Sequence, residues 1–558
     1  MSRRICRLLL STVLLTLTLP IAPGAAQEAS TPLEVAADLP TLRCLGVRWR
    51  VAGDTNRDAS VAVRYRRAGD EAWLRAMDLR RIDPAGMRPE ARPAEGEFWF
   101  AGSIFDLTPA TPYDVDLALQ DPDGGSTNVP LSMTTWSEPA VPTHGVRIAV
   151  TPDTWTNALA AARPGDILVL APGLYAGTIT PPSGEEGNPL CIVGPTDGRA
   201  TLDGQGGLAV IHAPGLHHIL FEGLTLRNAT YGLSFNEGAH IAVKHCRFED
   251  LQFGIVGQRG AHQERFYIAD NDLQGRTPWP RTEGLSGGRG VQISGRGHVV
   301  CHNRIRGFDD AIDIFSEPPC AAIDIYGNEI SACIDDGIEM DYSDHNTRCF
   351  ENRLTSVFMG ISLQPVHGGP AYVFRNVIYN VRASPFKLHN APSGVVLLHN
   401  TSVRIGAANT IATTETVHNV RSRNNLFVGT ADHYAFEAQP TMQDCDFDYD
   451  GFACDFELFL KWNGERYGTM RDAQRAGIYP HGLLLDPVTL FEDGFQMPDH
   501  KDTLYGPLRN APVLGLESMA LDGGEVLANI NEDFVGAAPD LGAYERGRPI
   551  PPYGPRPR

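Results

Sequence analysis

One asparagine recurs through the middle of this chain at nearly constant spacing. An apolar-x-apolar-x-x-Asn-x-apolar pattern centres on Asn271, Asn303, Asn328, Asn352, Asn376, Asn400 and Asn424, at intervals of 32, 25, 24, 24, 24 and 24. Leu224 and Cys246 hold the same slot earlier, 22 apart. A fixed period of this length means stacked supersecondary units. Helical repeats run longer and show a 3.6-residue period, which is lacking here, and leucine-rich repeats need their Leu pattern. Short strands in each period describe a right-handed single-stranded parallel β-helix, an all-β fold. An Asn at one turn of every coil can stack as an internal ladder, its amide bonding backbone that would otherwise be buried unpaired. These asparagines are therefore structural.

The rest of the chain brackets that array. With 57 Gly and 41 Pro in 558 residues, turns are many and long helices few. Lys and Arg total 47 against 67 Asp and Glu, a formal charge of −20, which argues against nucleic acid as a partner. Residues 1–26 read as a signal peptide: Arg3, Arg4 and Arg7 precede an apolar stretch from Leu8 to Ala22, then small residues Gly24, Ala25 and Ala26. A secreted or periplasmic monomer is expected, with no membrane span once the leader is removed. No CxxC occurs. Cys445 and Cys454 flank a short loop and are candidates for a disulfide. Residues 546–558, with five Pro and four Arg, read as a disordered tail.

Residues 33–140 alternate apolar and polar in short runs, as in Leu45 to Val51 and Val61 to Tyr65, and read as a β-sandwich. Leu107, Pro109, Thr111 and Tyr113 before a strand resemble the tyrosine corner of fibronectin type III domains, with Trp49 as the core tryptophan. Residues 153–162 can form a short helix, followed by Arg163-Pro-Gly-Asp166, a strand, and Pro172-Gly-Leu-Tyr175. This opening resembles the N-terminal cap of pectate-lyase-like and chondroitinase-B-like β-helix proteins, and residues 538–545 resemble a tail common on secreted ones. The β-helix is expected over 145–545. Residues 445–530 depart from the repeat, with an extended segment and a helix over 458–476.

In Gly337-Ile-Glu-Met-Asp341, Ile338 and Met340 must point into the coil, so Glu339 and Asp341 point out. The same register puts Asp313, Glu339, Ser362 and Lys387 in one external column, and Phe315, Asp341, Gln364 and His389 in the next. The pairs Asp309-Asp310 and Asp335-Asp336 precede two of these strands. So many carboxylates with few cations need a metal, a proton or a functional reason.

Asp309-Asp-Ala-Ile-Asp313 and Asp335-Asp-Gly-Ile-Glu339 resemble the DDGxD calcium motif of family 9 pectate lyases, and Phe386-Lys-Leu388 resembles the segment carrying their lysine base. That resemblance implies Ca²⁺ on Asp309, Asp310, Asp313, Asp335, Asp336 and Glu339, with Lys387 removing the proton α to a uronate carboxylate. Bound calcium is expected to depress the lysine pKa. Tyr342, Arg348 and Arg382 are candidates for contacting sugar or uronate, and His389 for an accessory catalytic role. The motif departs from the family in occurring twice and in placing Glu339 where an Asp stands. A rival reading is glycoside hydrolysis by paired carboxylates, Asp313 with Glu339 or Glu339 with Asp341. A third is a non-catalytic carbohydrate-binding or surface repeat protein with a structural calcium staple.

Overall fold

The computed structural model of the protein describes residues 28–257, 262–315, 319–506 and 511–558. The expected leader, 1–26, lies outside the described residues. Seven antiparallel strands come first: β1 (Thr31–Ala37), β2 (Leu45–Ala52), β3 (Ser60–Arg67), β4 (Leu74–Ile82), β5 (Glu97–Ile104), β6 (Pro112–Gln120) and β7 (Thr127–Thr134). Their hydrogen-bonded order is β1-β2-β5-β4-β3-β6-β7. Alternation sends Val47, Trp49, Val51, Val61, Val63, Val115 and Leu117 into one core. The corner at Leu107 to Tyr113 closes as its sequence suggests: the Thr108 N–H donates to the Tyr113 hydroxyl at 2.9 Å.

From Val146 the chain winds into a parallel β-solenoid with two long sheets, one of 18 strands and one of 16. Each coil contributes to both sheets, so inward side chains stack coil upon coil. Val291, Ile312, Ile338, Ile361 and Phe386 follow one another in register up the interior, all essentially fully buried. Each such burial contributes about 1.5–3 kcal/mol relative to exposure. At one turn the asparagine ladder runs as the period implies. The Asn303 N–H donates to Asn328 Oδ1 at 2.9 Å, and Asn303 Nδ2 donates to the same oxygen at 3.1 Å and to the Ile268 carbonyl at 2.9 Å.

The ladder differs from its sequence reading at one rung. After Asn400 the next rung is Asn425, not Asn424, and the ladder ends on Asp450, whose Oδ1 accepts from the Asn425 N–H and Nδ2. One extra residue in that coil shifts the slot. Asn424 turns outward with φ 59°, where its side chain bonds both backbone groups of Glu525 at 2.8 Å.

The N-terminal end is capped by the helix Trp155–Ala161. Its Trp155 packs edge-on against Tyr175, which donates to the Val150 and Ala171 carbonyls. At the other end the extended strand Gly451–Trp462 leads to the helix Met470–Arg475, opened by a Thr469/Asp472 capping box. The expected disulfide is not formed. Cys445 and Cys454 are free thiols, each hydrogen-bonded instead to a backbone carbonyl of a neighbouring coil.

The tail expected to be disordered is instead extended and docked. Gly554 N–H donates to the Gly327 carbonyl at 2.8 Å, Arg556 pairs with Asp270 at 2.7 Å, and Arg558 pairs with Glu222 at 3.0 Å. Its arginines find carboxylates far away in sequence, and its prolines leave no strand ladder to satisfy. Among the described residues, no helix is long and apolar enough to cross a membrane.

The N-terminal module docks on the outer face of the 16-stranded sheet. Phe105 inserts edge-on between Tyr372 and Phe374, with centroids 5.0 and 5.1 Å away. Arg348 is fully buried beneath the module. Its Nε donates to Asp324 Oδ1 at 2.5 Å, while Thr41 Oγ1 donates to Asp324 Oδ2 at 2.5 Å. Arg348 is therefore a staple between the two regions and cannot meet a polymer, contrary to its assignment from sequence.

Candidate functional site

Asp313, Glu339, Ser362 and Lys387 pair in succession on four neighbouring coils of the 18-stranded sheet, forming one outward column. Three residues earlier on the same strands stand Asp310 and Asp336, linked by the Asp336 N–H donating to Asp310 Oδ1 at 2.9 Å. One oxygen from each of Asp310, Asp336 and Glu339 lies within 4.8 Å of the other two. Lys387 Nζ sits 2.8 Å from Asp336 Oδ2. Asp341 Oδ1 accepts from Ser362 Oγ and from the Gln364 N–H, both at 2.7 Å.

A cation missed in the sequence completes the group. Arg289 reaches Asp310 and Asp313, each at 3.1 Å. It stands at the start of strand Arg289–Ile293, one coil before Asp310, in the interval of 32 where the ladder spacing is broken. The signal that finds it is the alternation in Arg289 to Ile293, which repeats that of Asp310 to Ile314.

Five carboxyls, Asp310, Asp313, Asp336, Glu339 and Asp341, thus face two cations. Fully ionised, they would leave a buried excess of negative charge, so protons or a divalent ion must share it. Burial, with Asp313 and Asp310 as neighbours, holds the Glu339 pKa well above the usual carboxylate range. Burial raises Asp310 in the same way, against the pull of Arg289, and raises Asp313. Asp341 is pushed up to about 8 by burial, with Asp336 adding repulsion. Burial alone would lower the Lys387 pKa, but the charge and hydrogen bond of Asp336 outweigh it and hold it above the usual lysine value. This is the opposite of the depression a base requires.

Depth sorts these groups. Asp310, Asp313 and Asp336 are buried, whereas Arg289, Glu339 and Lys387 are partly exposed and form the surface above them. Asp336 Oδ1 is buried without a hydrogen bond, and Asp310 Oδ2, also buried, has the Arg289 guanidinium 3.1 Å away. One orphaned carboxylate oxygen beside two further carboxylates fits a hard divalent cation, with substrate or water supplying the rest of its oxygen shell.

The other expected ligands are elsewhere. Asp309 turns into the insertion at 276–288, where Thr277 Oγ1, Ser286 Oγ and the Gly287 N–H donate to it at 3.1, 2.9 and 2.6 Å. It anchors that loop and is not part of the cluster. Asp335 points to Arg281, 3.8 Å away, and its pKa is raised by burial and by Asp336. Arg382 lies over the Phe358 ring, as does Arg281, and pairs with Asp502 at 3.3 Å. Tyr342 sits at the turn beyond Asp341 with its carbonyl bound by Arg88 of the N-terminal module at 2.9 Å. His389 is half-buried, and burial followed by Lys387 lowers its pKa.

Two other features compete for attention. A concavity of about 750 Å³ elsewhere is lined by His217, His218, His262, Glu237, Glu264 and Arg296, but Arg296 already pairs with Glu264 and, among the described residues, no metal-ligating trio gathers there. A second carboxylate trio, Asp54, Asp58 and Asp121, lies in the N-terminal module. There Asp54 is taken up by Arg81 and by the N–H groups of Asp58 and Ala59.

No family model matches the chain, and no curated protein matches it. Among solved structures it is similar to the crystal structure of alginate lyase from Paenibacillus sp. str. FPU-7, at 15% identity and a TM-score of 0.33, over 54% of this chain and 97% of that one.

Proposed function

We propose that this chain is an exported polysaccharide-cleaving enzyme that acts on a uronate-containing polymer by β-elimination at the acidic column. The observation that carries this is the convergence of Asp310, Asp336 and Glu339 within 4.8 Å, with Lys387 held 2.8 Å from Asp336. A Ca²⁺ ion on these three carboxylates would share their charge and acidify the C5 proton of a uronate bound through its carboxylate. Lys387 is the partly exposed amine placed to take that proton. Electrons of the C5–H bond form the C4=C5 double bond, the C4–O bond breaks, and the leaving oxygen takes a proton from water. Asp336 orients Lys387 and also keeps it protonated, so the amine becomes a base only when the charge of Asp336 is shared. Arg289, locked to Asp310 and Asp313, presents its remaining guanidinium edge beside the column.

Hydrolysis is the second reading. It is favoured by Glu339, which is partly exposed and whose pKa burial and the neighbouring Asp313 raise well above the usual carboxylate range, the direction a general acid needs. An assay on uronate polymers with and without EDTA separates the two. Elimination gives an unsaturated product absorbing in the ultraviolet, lost in EDTA and in Lys387→Ala. Metal-independent release of saturated sugars that survives Lys387→Ala but not Glu339→Gln would replace elimination with hydrolysis. A rise in thermal stability with Ca²⁺ and no cleavage of any polymer would leave only the structural staple.

A further inference from the structure

Beside the acidic column, one partly exposed ring carries two arginines. Cys333 pairs with Val357 and Asp336 with Met359, so a bulge sets Ile334 and Asp335 opposite Phe358. On the following coil the N–H groups of Arg382 and Ala383 donate to the Val357 and Phe358 carbonyls. The Arg382 guanidinium lies 5.8 Å from the centroid of the Phe358 ring. That of Arg281, arriving from the insertion at 276–288, lies 5.3 Å from the same centroid. Both are close enough for the ring to attract them, although the two charges repel each other.

The two guanidinium groups are held in place without being used up. Arg281 has Asp335 at 3.8 Å, and Arg382 has Asp502 at 3.3 Å. Among the described residues, neither guanidinium donates an aligned hydrogen bond to its carboxylate. Elsewhere the chain spends its arginines. Arg353 donates to both oxygens of Glu329, and Arg276, on the same insertion, donates to the carboxylate and carbonyl of Asp250. The side chains of Arg281 and Arg382 are 32% and 26% exposed, so both forks stay open to a ligand. Burial and the neighbouring Asp336 raise the Asp335 pKa, which weakens its claim on Arg281. Segments outside the regular repeat build this arrangement. Asp309 fastens the insertion through Thr277, Ser286 and Gly287, and Trp279 Nε1 donates to the Asp502 carbonyl at 2.9 Å. Ser356 and Asn380 tie the Asp502 segment to the coils through the Thr503 carbonyl.

We propose that Arg281 and Arg382 form a subsite that reads the carboxylate of a uronate further along the polymer than the one that reacts, so that the enzyme selects runs of unmodified uronates. This rests on the uronate-polymer reading above. Phe358 stands four residues before Ser362 on the same strand, which is ~13 Å along it. That is too far for the sugar held at Asp310, Asp336 and Glu339, and within reach of other sugars of the same chain. A planar guanidinium fork matches a carboxylate with two N–H groups at a time, and packing on Phe358 reduces the side-chain freedom lost on binding. A substrate carboxylate completes the hydrogen bonds that Asp335 and Asp502 leave unmade.

The test uses the full chain with Arg281→Lys and Arg382→Lys, singly and together, and with Arg281→Gln and Arg382→Gln together. Binding of short and long oligogalacturonate and oligomannuronate is measured by calorimetry in a Lys387→Ala background, the long ones with free or methyl-esterified carboxyls. KM and kcat are measured with Lys387 intact. Long free-acid oligosaccharides should lose about 10-fold or more in affinity in the double Gln variant. The double Lys variant should lose less, since it keeps the charge and gives up only the fork. The shortest ligands, which reach only the acids and Lys387, should lose little. Esterified long ones should bind the parent and the double Gln variant alike. On polymer, KM should rise with kcat little changed. Equal losses for short and long ligands, or unchanged affinity for the long ones while the parent binds and cleaves, would make the pair a clasp for the insertion and overturn the subsite alone. A parent chain that binds neither oligosaccharide overturns the polysaccharide reading and the subsite with it.

Discussion

The two faces of the solenoid bury carboxylates in opposite ways. On the 16-stranded sheet, Asp324 meets Arg348 and Thr41, and Asp38 of the module meets Arg48, His345 and Asn346. On the 18-stranded sheet, two cations serve five carboxyls, and Asp336 Oδ1 is buried without a hydrogen bond. Spacing and residue types are alike on both faces. What differs is whether each charge has found its partner. A buried charge that is matched holds parts together. One left short of partners raises pKa values and costs stability, which a chain retains where chemistry or a ligand uses it.

That contrast can be broken by substitution. The largest expected effect is on the acidic face: Lys387→Ala should reduce polymer cleavage by about 10²–10⁴-fold, the range for losing a positioned proton-transfer group, with the folded structure retained by circular dichroism. Cleavage unchanged within a few-fold would remove Lys387 from the chemistry. On the matched face, Arg348→Ala should destabilise the protein by about 3–5 kcal/mol, since it strands Asp324 in the interface. Chemical denaturation measures this, and a loss below about 1 kcal/mol would mean the staple does not hold the module.

Asp450 gives a case between the two, with a pH signature. Burial pushes its pKa up to about 7 while its Oδ1 takes the end of the ladder. Its folded pKa lies above the ordinary aspartate value of 3.8, so the native state holds the proton more tightly. Its favourable contribution is present below about pH 4 and is lost as pH rises toward 7, at roughly 1.4 kcal/mol per unit. Asp450→Asn keeps the accepting oxygen and removes the charge. It should flatten that slope and raise the melting temperature at pH 8 more than at pH 5. Parallel pH profiles for parent and variant would show that Asp450 does not titrate in this window. The smallest effect sharpens the contrast itself. Asp313→Asn should stabilise the protein by about 1 kcal/mol while lowering activity, whereas Asp324→Asn should destabilise it. The same sign for both would erase the distinction between the faces.

The period of the asparagines and the alternation around Glu339 made the coils and the column of Asp313, Glu339, Ser362 and Lys387 legible, because both are local patterns with a fixed geometric meaning. What stayed hidden depends on distant partners. Arg289 lies behind an insertion that interrupts the period. Asp309 reads like Asp310 until Thr277, Ser286 and Gly287 claim its oxygens. Arg348 is a plausible surface arginine until Thr41 and Ser103 arrive from the other end of the chain. Asn424 and Asn425 are adjacent and identical, so only the coil length decides which one enters the ladder.

The docked tail changes how the array comes apart. Gly542 binds the Asn424 carbonyl, Ala543 binds Thr401, Gly554 binds Gly327, Arg556 binds Asp270 and Arg558 binds Glu222, so the final segment runs back down the stack across many coils. A solenoid whose repeats touch only their neighbours can fray from its ends one coil at a time. Here the last coils cannot peel away without also releasing a strap fastened near the first ones. The length of the strap therefore sets the size of the cooperative unit: a chain ending before Arg548 should melt over a broader range than the intact chain, coil by coil from its C-terminal end.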